Sequence, residues 1–304
     1  MSKRRALIVG IDDYPGTNLD LPSCRADARF AANLLRGTFG FDDLVELHDG
    51  DATLEAVSRA LGLMLAGARP DDRLVFYYSG HGAHTVRGGE LRESLVLHDL
   101  LFHDDVLVAA TQQLPPGVLT VVLDACFSGG MWKRLGGSRI KSAALVEKAL
   151  EAPVAYRPFG CAARPNFGPV PAAKKSRCVK ASEPLQLNAL LVSASLENET
   201  AAASSSGTDS LSAFTFALGK AIAALGPRVS IESVLVHVTE VLRDLGIAQS
   251  PQLHPPHVPA MNARTPFLAE ELGAPAASWP VELADPLLTR VMTASLTAVR
   301  LLLQ

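Results

Sequence analysis

Two side chains in this sequence have the type and setting for nucleophilic chemistry. His81 follows the apolar run Leu74-Val75-Phe76-Tyr77-Tyr78 through Ser79-Gly80 and precedes Gly82. Cys126 follows Val118-Leu119-Thr120-Val121-Val122-Leu123 through Asp124-Ala125 and precedes Phe127-Ser128-Gly129-Gly130. A thiolate is the effective form of a cysteine nucleophile. A neighbouring imidazole can take the thiol proton and later hand it to a leaving amine. The flanking glycines suit close approach of a peptide. The backbone N–H groups of Gly82 and Cys126 could stabilise a tetrahedral oxyanion, each typically worth about 2.7–4 kcal/mol. The competing reading makes Cys126 a small buried hydrophobe and His81 a hydrogen-bonded turn residue.

Strands must deliver both residues. Each apolar run reads as a buried strand, and in open parallel sheets sites gather at the carboxyl ends of strands. Ala6–Ile11 is a third such run, closed by the turn residues Asp12-Asp13-Tyr14-Pro15-Gly16. A helix is predicted from about Cys24 to Arg36, stopped by Gly37 and Gly40. Leu44–Leu47 reads as a strand. Thr53 is the predicted N-cap of a helix whose apolar face is Leu54, Val57, Leu61 and Leu65. A short strand is expected at Leu95–Asp99, a helix from His103-Asp104-Asp105 through Gln113, and a strand at Leu187–Ser195. Helices follow at about Ala213–Leu225 and Ile231–Leu245, then a mostly extended Ser250–Pro266 and an amphipathic helix at Pro286–Gln304. Strands alternating with helices imply an α/β fold with a mostly parallel sheet and helices on both faces.

Composition narrows the function. The chain of 304 residues carries a net charge of −3 and 48% hydrophobic residues. Nothing global favours nucleic acid or a membrane surface. No apolar run is long enough to span a bilayer, and the N-terminal one is too short for a signal peptide. The four cysteines have no paired spacing, so free thiols and a reducing cytoplasm are expected. Residues 131–184 stand apart: 11 of the 28 Lys and Arg lie there against three acids, with six prolines. This stretch reads as a basic linker, with a short helix near Ala143–Leu150.

Tyr78-Ser79-Gly80-His81-Gly82 and Asp124-Ala125-Cys126-Phe127-Ser128-Gly129 resemble the His and Cys motifs of the caspase–metacaspase clan of cysteine peptidases. Leu7–Gly10, Leu21–Asp27 and His48–Thr53 resemble that family's opening strand, first helix and second-strand exit. The resemblance covers about residues 5–130, extends to 187–225, and is nearest to metacaspases and bacterial orthocaspases. It implies a caspase-like three-layer αβα sandwich. The implied organisation is a large-subunit-like catalytic region at 1–130, the basic linker at 131–184, a small-subunit-like region at 185–268 and a tail at 269–304.

The resemblance also assigns roles. Cys126 is the nucleophile and His81 the general base and acid. Asp27, Asp124, Cys24 and Ser79 match pocket residues that select Arg or Lys before the cut bond, and paired carboxylates in a pocket favour a cation. Without it, Asp27 is equally a first-turn helix acid and Asp124 a strand-end cap. Arg25 keeps an aspartate-directed pocket open. Asp99, Asp104 and Asp105 match acids that hold an activating Ca²⁺, but the family's further acid is Lys133 here. Those three acids also suit a helix N-terminus. No cofactor is needed for the chemistry. A peptidase with this preference could cut its own linker, at Lys174, Lys175, Arg177 or Lys180. Protein or peptide substrates and a monomeric state are expected. The rivals are a non-catalytic caspase-like scaffold and a metal-dependent hydrolase using His81 with His84. His254 and His257 read as loop residues.

Overall fold

Strand β1, Arg4–Gly10, carries a continuous apolar run from Ala6 onward, and its last six residues are all buried. Such a strand needs cover on both faces. The computed structural model supplies it, and describes residues 2–17, 19–87, 90–125, 186–196, 201–204 and 207–254. In chain order the elements are β1, α1 (Cys24–Phe39), β2 (Asp43–His48), a 3₁₀ turn at Asp49–Asp51, α2 (Leu54–Leu65) and β3 (Arg73–Ser79). Then come β4 (Gly82–Arg87), β5 (Glu90–Val96), β6 (Leu101–His103), α3 (Asp104–Thr111) and β7 (Leu119–Asp124). After residues 126–185 follow β8 (Leu190–Ser193), α4 (Ala213–Leu225), α5 (Ile231–Asp244) and β9 (Gln252–His254).

The main sheet runs in the order β2-β1-β3-β7-β8-β9. Every pairing is parallel except β8 with the edge strand β9. Alternate residues face opposite ways along a strand, and the two cores follow that alternation. Ala6, Ile8, Val75, Tyr77 and Val122 pack with α1, α4 and α5. Leu7, Val9, Phe76, Tyr78, Val121 and Leu123 pack with α2 and α3 on the other face. This is the three-layer αβα arrangement that the alternation of strands and helices implies.

Local chemistry accounts for the ends. Thr53 caps α2, its hydroxyl accepting the Ala56 N–H at 3.2 Å. α1 runs through Gly37 and ends at Gly40, which takes a left-handed conformation with φ 67°. The expected stop at Gly37 is thus three residues early; a glycine inside a helix is tolerated when the face around it packs. Of the expected strand at Leu95–Asp99, only Leu95 and Val96 are strand, as the end of a longer β5. It belongs to a separate antiparallel sheet, β4-β5-β6. The predicted helix at Ala143–Leu150, the linker and the terminal helix lie outside the described residues.

Candidate active site

β3 and β7 are adjacent parallel strands, with Ser79 the register partner of Asp124. The Gly80 N–H reaches the Asp124 carbonyl at 3.3 Å. His81 leaves the sheet just beyond. Its Nε2 lies 2.6 Å from the Leu19 carbonyl oxygen. A carbonyl can only accept, so Nε2 carries the proton and, in the neutral ring, Nδ1 is left as the basic nitrogen. The His81 backbone N–H donates to the Tyr14 hydroxyl at 2.8 Å, and the Tyr14 ring packs 4.7 Å from the imidazole, centroid to centroid. The His81 carbonyl accepts from the Tyr78 hydroxyl at 2.8 Å and from the Val96 N–H at 2.9 Å. Four hydrogen bonds and one ring contact therefore fix one residue in a loop.

Gly80 is needed for this. A Cβ there would stand 2.5 Å from the Tyr78 hydroxyl and 2.7 Å from that of Tyr14. Gly82 opens β4 opposite Leu95. Cys126 lies outside the described residues, as does Lys133; the chain is described up to Ala125, which is buried and whose carbonyl accepts from the Ser195 hydroxyl at 3.3 Å.

Asp27, Asp124, Cys24 and Ser79 come together at the carboxyl ends of β3 and β7, all buried. Asp27 is in the first turn of α1 and is 0% exposed. Its Oδ2 accepts from the Ser79 hydroxyl at 2.9 Å and its Oδ1 from the Ser212 N–H at 2.8 Å. Asp124 Oδ2 accepts from the Thr215 hydroxyl at 2.7 Å and from the Ser212 hydroxyl. Tyr77 Oη lies 2.6 Å from Thr215 Oγ1. Since the Thr215 proton goes to the carboxylate, Tyr77 is the donor in that contact. Burial raises the Asp27 carboxyl well above the usual carboxylate range, and the Asp124 charge raises it further. Burial also raises Asp124, against the pull of the Ser212 and Thr215 hydroxyls. Burial pushes the Cys24 thiol up as well, so Cys24 is a neutral thiol at neutral pH and not a second nucleophile. Sequence reasoning passed over Ser212, Thr215, Tyr14 and the Leu19 carbonyl. A signal existed for the first: a serine directly before an apolar helical run is an N-cap.

A model of the caspase domain, peptidase family C14, matches residues 3–260. The chain belongs to the caspase-domain family. That family is one of cysteine-type endopeptidases. Metacaspase-1 of Meyerozyma guilliermondii is 32% identical over 184 residues, which are 54% of this chain and 40% of the relative. Metacaspase-1 of Debaryomyces hansenii is 33% identical over 184 residues, 54% of this chain and 38% of the relative. The match thus spans about two fifths of these relatives' length. Two crystal structures share the caspase-domain fold at low identity. A Geobacter sulfurreducens protein superposes with a TM-score of 0.55 and 20% identity, over 85% of this chain and 96% of its own. Caspase-1 of Spodoptera frugiperda gives 0.51 and 14%, over 84% and 88%.

The other residues of interest fall elsewhere. Asp99 Oδ1 accepts the Leu54 N–H at 2.8 Å and so caps α2. Asp104 and Asp105 open α3, with the Asp105 N–H on Asp104 Oδ1 at 2.7 Å. Among the described residues no group of three His, Cys, Asp or Glu is placed to hold a metal ion. Arg25 pairs with Asp49, Nε to Oδ2 at 3.2 Å. His84 lies on β4 and His254 on β9. His257 and the basic residues Lys174, Lys175, Arg177 and Lys180 are outside the described residues. Among those described, no helix is long and apolar enough to cross a membrane.

Proposed function

We propose that the chain is a cysteine endopeptidase that cleaves after Arg or Lys, with Cys126 as nucleophile and His81 as general base and acid. The register of Ser79 with Asp124 carries this reading. His81 is two residues beyond one partner and Cys126 two residues beyond the other. Both follow neighbouring strand ends, where an α/β sheet gathers its sites. The tautomer held by the Leu19 carbonyl supports the role of His81, because it leaves Nδ1 free to accept the thiol proton. The thiolate attacks the scissile carbonyl, the Gly82 and Cys126 N–H groups hold the oxyanion, and the imidazolium protonates the leaving amine. Water then attacks the acyl-enzyme, with the imidazole as base. No step passes through a metal ion.

The buried Asp27 and Asp124 support the preference for a cationic side chain. Arg25, engaged with Asp49, is not available to invite an anionic one. The basic linker, with Lys174, Lys175, Arg177 and Lys180, is then a substrate within the chain. The test compares hydrolysis of Arg-, Lys- and Asp-terminated fluorogenic peptides by wild type and Cys126→Ala, with mass spectrometry of both intact proteins. Turnover of Arg and Lys peptides in wild type alone, with linker fragments ending in Lys or Arg, is the expected result. Equal turnover by Cys126→Ala rejects the mechanism, and faster cleavage after Asp rejects the pocket.

A further inference from the structure

We propose that Ser212 and Thr215, at the start of α4, are positioning residues for substrate selection: they hold Asp27 and Asp124 together as one anionic receptor for the Arg or Lys side chain. This rests on the reading of Asp27 and Asp124 as the selecting pair. Ser212 is the only described residue that bonds to both carboxylates. Its N–H donates to Asp27 at 2.8 Å while its hydroxyl donates to Asp124. Thr215 adds a second hydroxyl to Asp124 at 2.7 Å and is itself backed by Tyr77 at 2.6 Å. The two carboxylates come from α1 and β7, in the region before residues 126–185, and the donors from α4 after it. The receptor is therefore assembled only when the two halves of the chain pack together.

The physical need is clear. Two acids removed from water repel each other and favour a shared proton over two charges. A pair that keeps its proton is a weak cation receptor. Hydrogen bonds aimed at the carboxylate oxygens favour the ionised form, and the N-terminus of a helix adds its dipole in the same sense. The other titratable groups facing the pair do not offset it. Cys24 from α1 and Tyr77 from β3 are both driven to their neutral forms by burial. Asp12, in the loop after β1, acts on Cys24 and Tyr14 and brings no positive charge to the pair. The charge of the receptor is thus set by Asp27, Asp124 and the α4 donors.

The experiment uses the full chain and two reversible fluorescent peptidyl inhibitors, identical except for Arg or citrulline beside the reactive carbonyl. Citrulline has the shape of Arg without the charge. Affinities are read by fluorescence polarisation from pH 5 to pH 9, so that turnover is not required, and their ratio cancels pH effects common to the two inhibitors. In wild type the ratio rises with pH as the pair loses its proton. In Ser212→Ala and Thr215→Val the midpoint of that rise moves up by about one pH unit. The ratio at pH 7 then falls about tenfold, the effect of losing one hydrogen bond to a charged group. Ser212→Thr, which keeps both hydroxyl and cap, restores the wild-type midpoint and separates the effect from a damaged fold. Wild-type midpoints in both Ser212→Ala and Thr215→Val, with Asp27→Asn abolishing the ratio, overturn the inference and leave the pocket standing. A wild-type ratio near one at every pH overturns both.

Discussion

Ser79 and Asp124 face each other as the last register pair of β3 and β7, and each directs its side chain to the same buried network while its chain continues toward His81 or Cys126. The carboxyl end of the sheet thus does two tasks at once. It ends two strands side by side, and it holds the groups that would sort substrates. A change on one strand end is felt on the other through the Gly80 N–H and the Asp124 carbonyl, 3.3 Å apart.

Gly80→Ala is the most direct test of how tightly the His81 turn is held. The added Cβ meets the hydroxyls of Tyr78 and Tyr14 at 2.5 and 2.7 Å, and both rings are buried. Neither hydroxyl can retreat without losing its bond to His81. Overpacking of this kind costs about 1–3 kcal/mol. We expect a lower denaturation midpoint and a fall in kcat/KM of at least about tenfold, since small misplacements of reacting groups are costly in rate. Wild-type kcat/KM in a folded Gly80→Ala protein would show that the turn is not held as described.

Tyr14 contributes in two separable ways. Tyr14→Phe removes the acceptor of the His81 N–H but keeps the ring against the imidazole. Tyr14→Ala removes both. A part-buried N–H left without a partner costs about 1–3 kcal/mol. The expected order of kcat is wild type above Tyr14→Phe above Tyr14→Ala, with KM nearly constant because Tyr14 touches His81 and not the acid pair. A rise in KM with unchanged kcat contradicts the assignment.

The strands that carry this site were legible because they are unbroken apolar runs, and buried parallel strands have little else in their sequence. The Thr53 cap and the two helices after residue 210 were legible for the same reason, as local signals that packing does not override. The β4-β5-β6 sheet was missed, although Gly88-Gly89 between β4 and β5 is the dipeptide expected of a tight hairpin. His81 drew attention to its own turn and away from the strand that follows it. The grouping of Asp27 with Asp124 came from family resemblance; their spacing of 97 positions carries no local signal. Ser212 and Thr215 were invisible as partners of those acids, because a contact between residues 185 apart is made by tertiary packing alone. Asp99 has a role that no local signal announced: its carboxylate accepts from the N-terminus of α2, 45 positions away in the chain.

The packing of α4 on α1 has its own test. A Cβ on Gly219 would stand 2.4 Å from the Phe30 ring. Phe30 is buried and lines the core shared by both helices. Gly219→Ala should gain helix propensity, worth about 1 kcal/mol, yet the overlap should outweigh it, leaving a net loss of about 1–2 kcal/mol. Phe30→Leu makes room. In the double variant the penalty of Gly219→Ala should shrink, as urea unfolding of the four proteins would measure. Additive losses would place the strain elsewhere. Because α4 brings Ser212 and Thr215 to the acid pair, the single variant should also lower the preference for Arg over citrulline.

The acid pair predicts how stability depends on pH. Burial, and for Asp27 the neighbouring charge, raise both carboxyls above their ordinary value of 3.8 in the folded chain. Between that value and the raised folded ones, the native state binds more protons than the unfolded state. The unfolding free energy therefore falls as pH rises through this window, by up to about 1.4 kcal/mol per pH unit for each excess proton. The contribution is largest at the acid end, opposite to the behaviour of a carboxylate held by an ion pair. Asp27→Asn removes one titrating group, and with it the upward shift that burial and the Asp124 charge impose on it, so that source of the slope is lost. Urea unfolding at pH 5, 6, 7 and 8 should give a shallower decline for Asp27→Asn than for wild type. Groups remote from the substitution contribute alike to both proteins and cancel in the difference. Parallel curves would mean that the two carboxylates do not share their charge, and the single-receptor reading of Asp27 and Asp124 would fail with them.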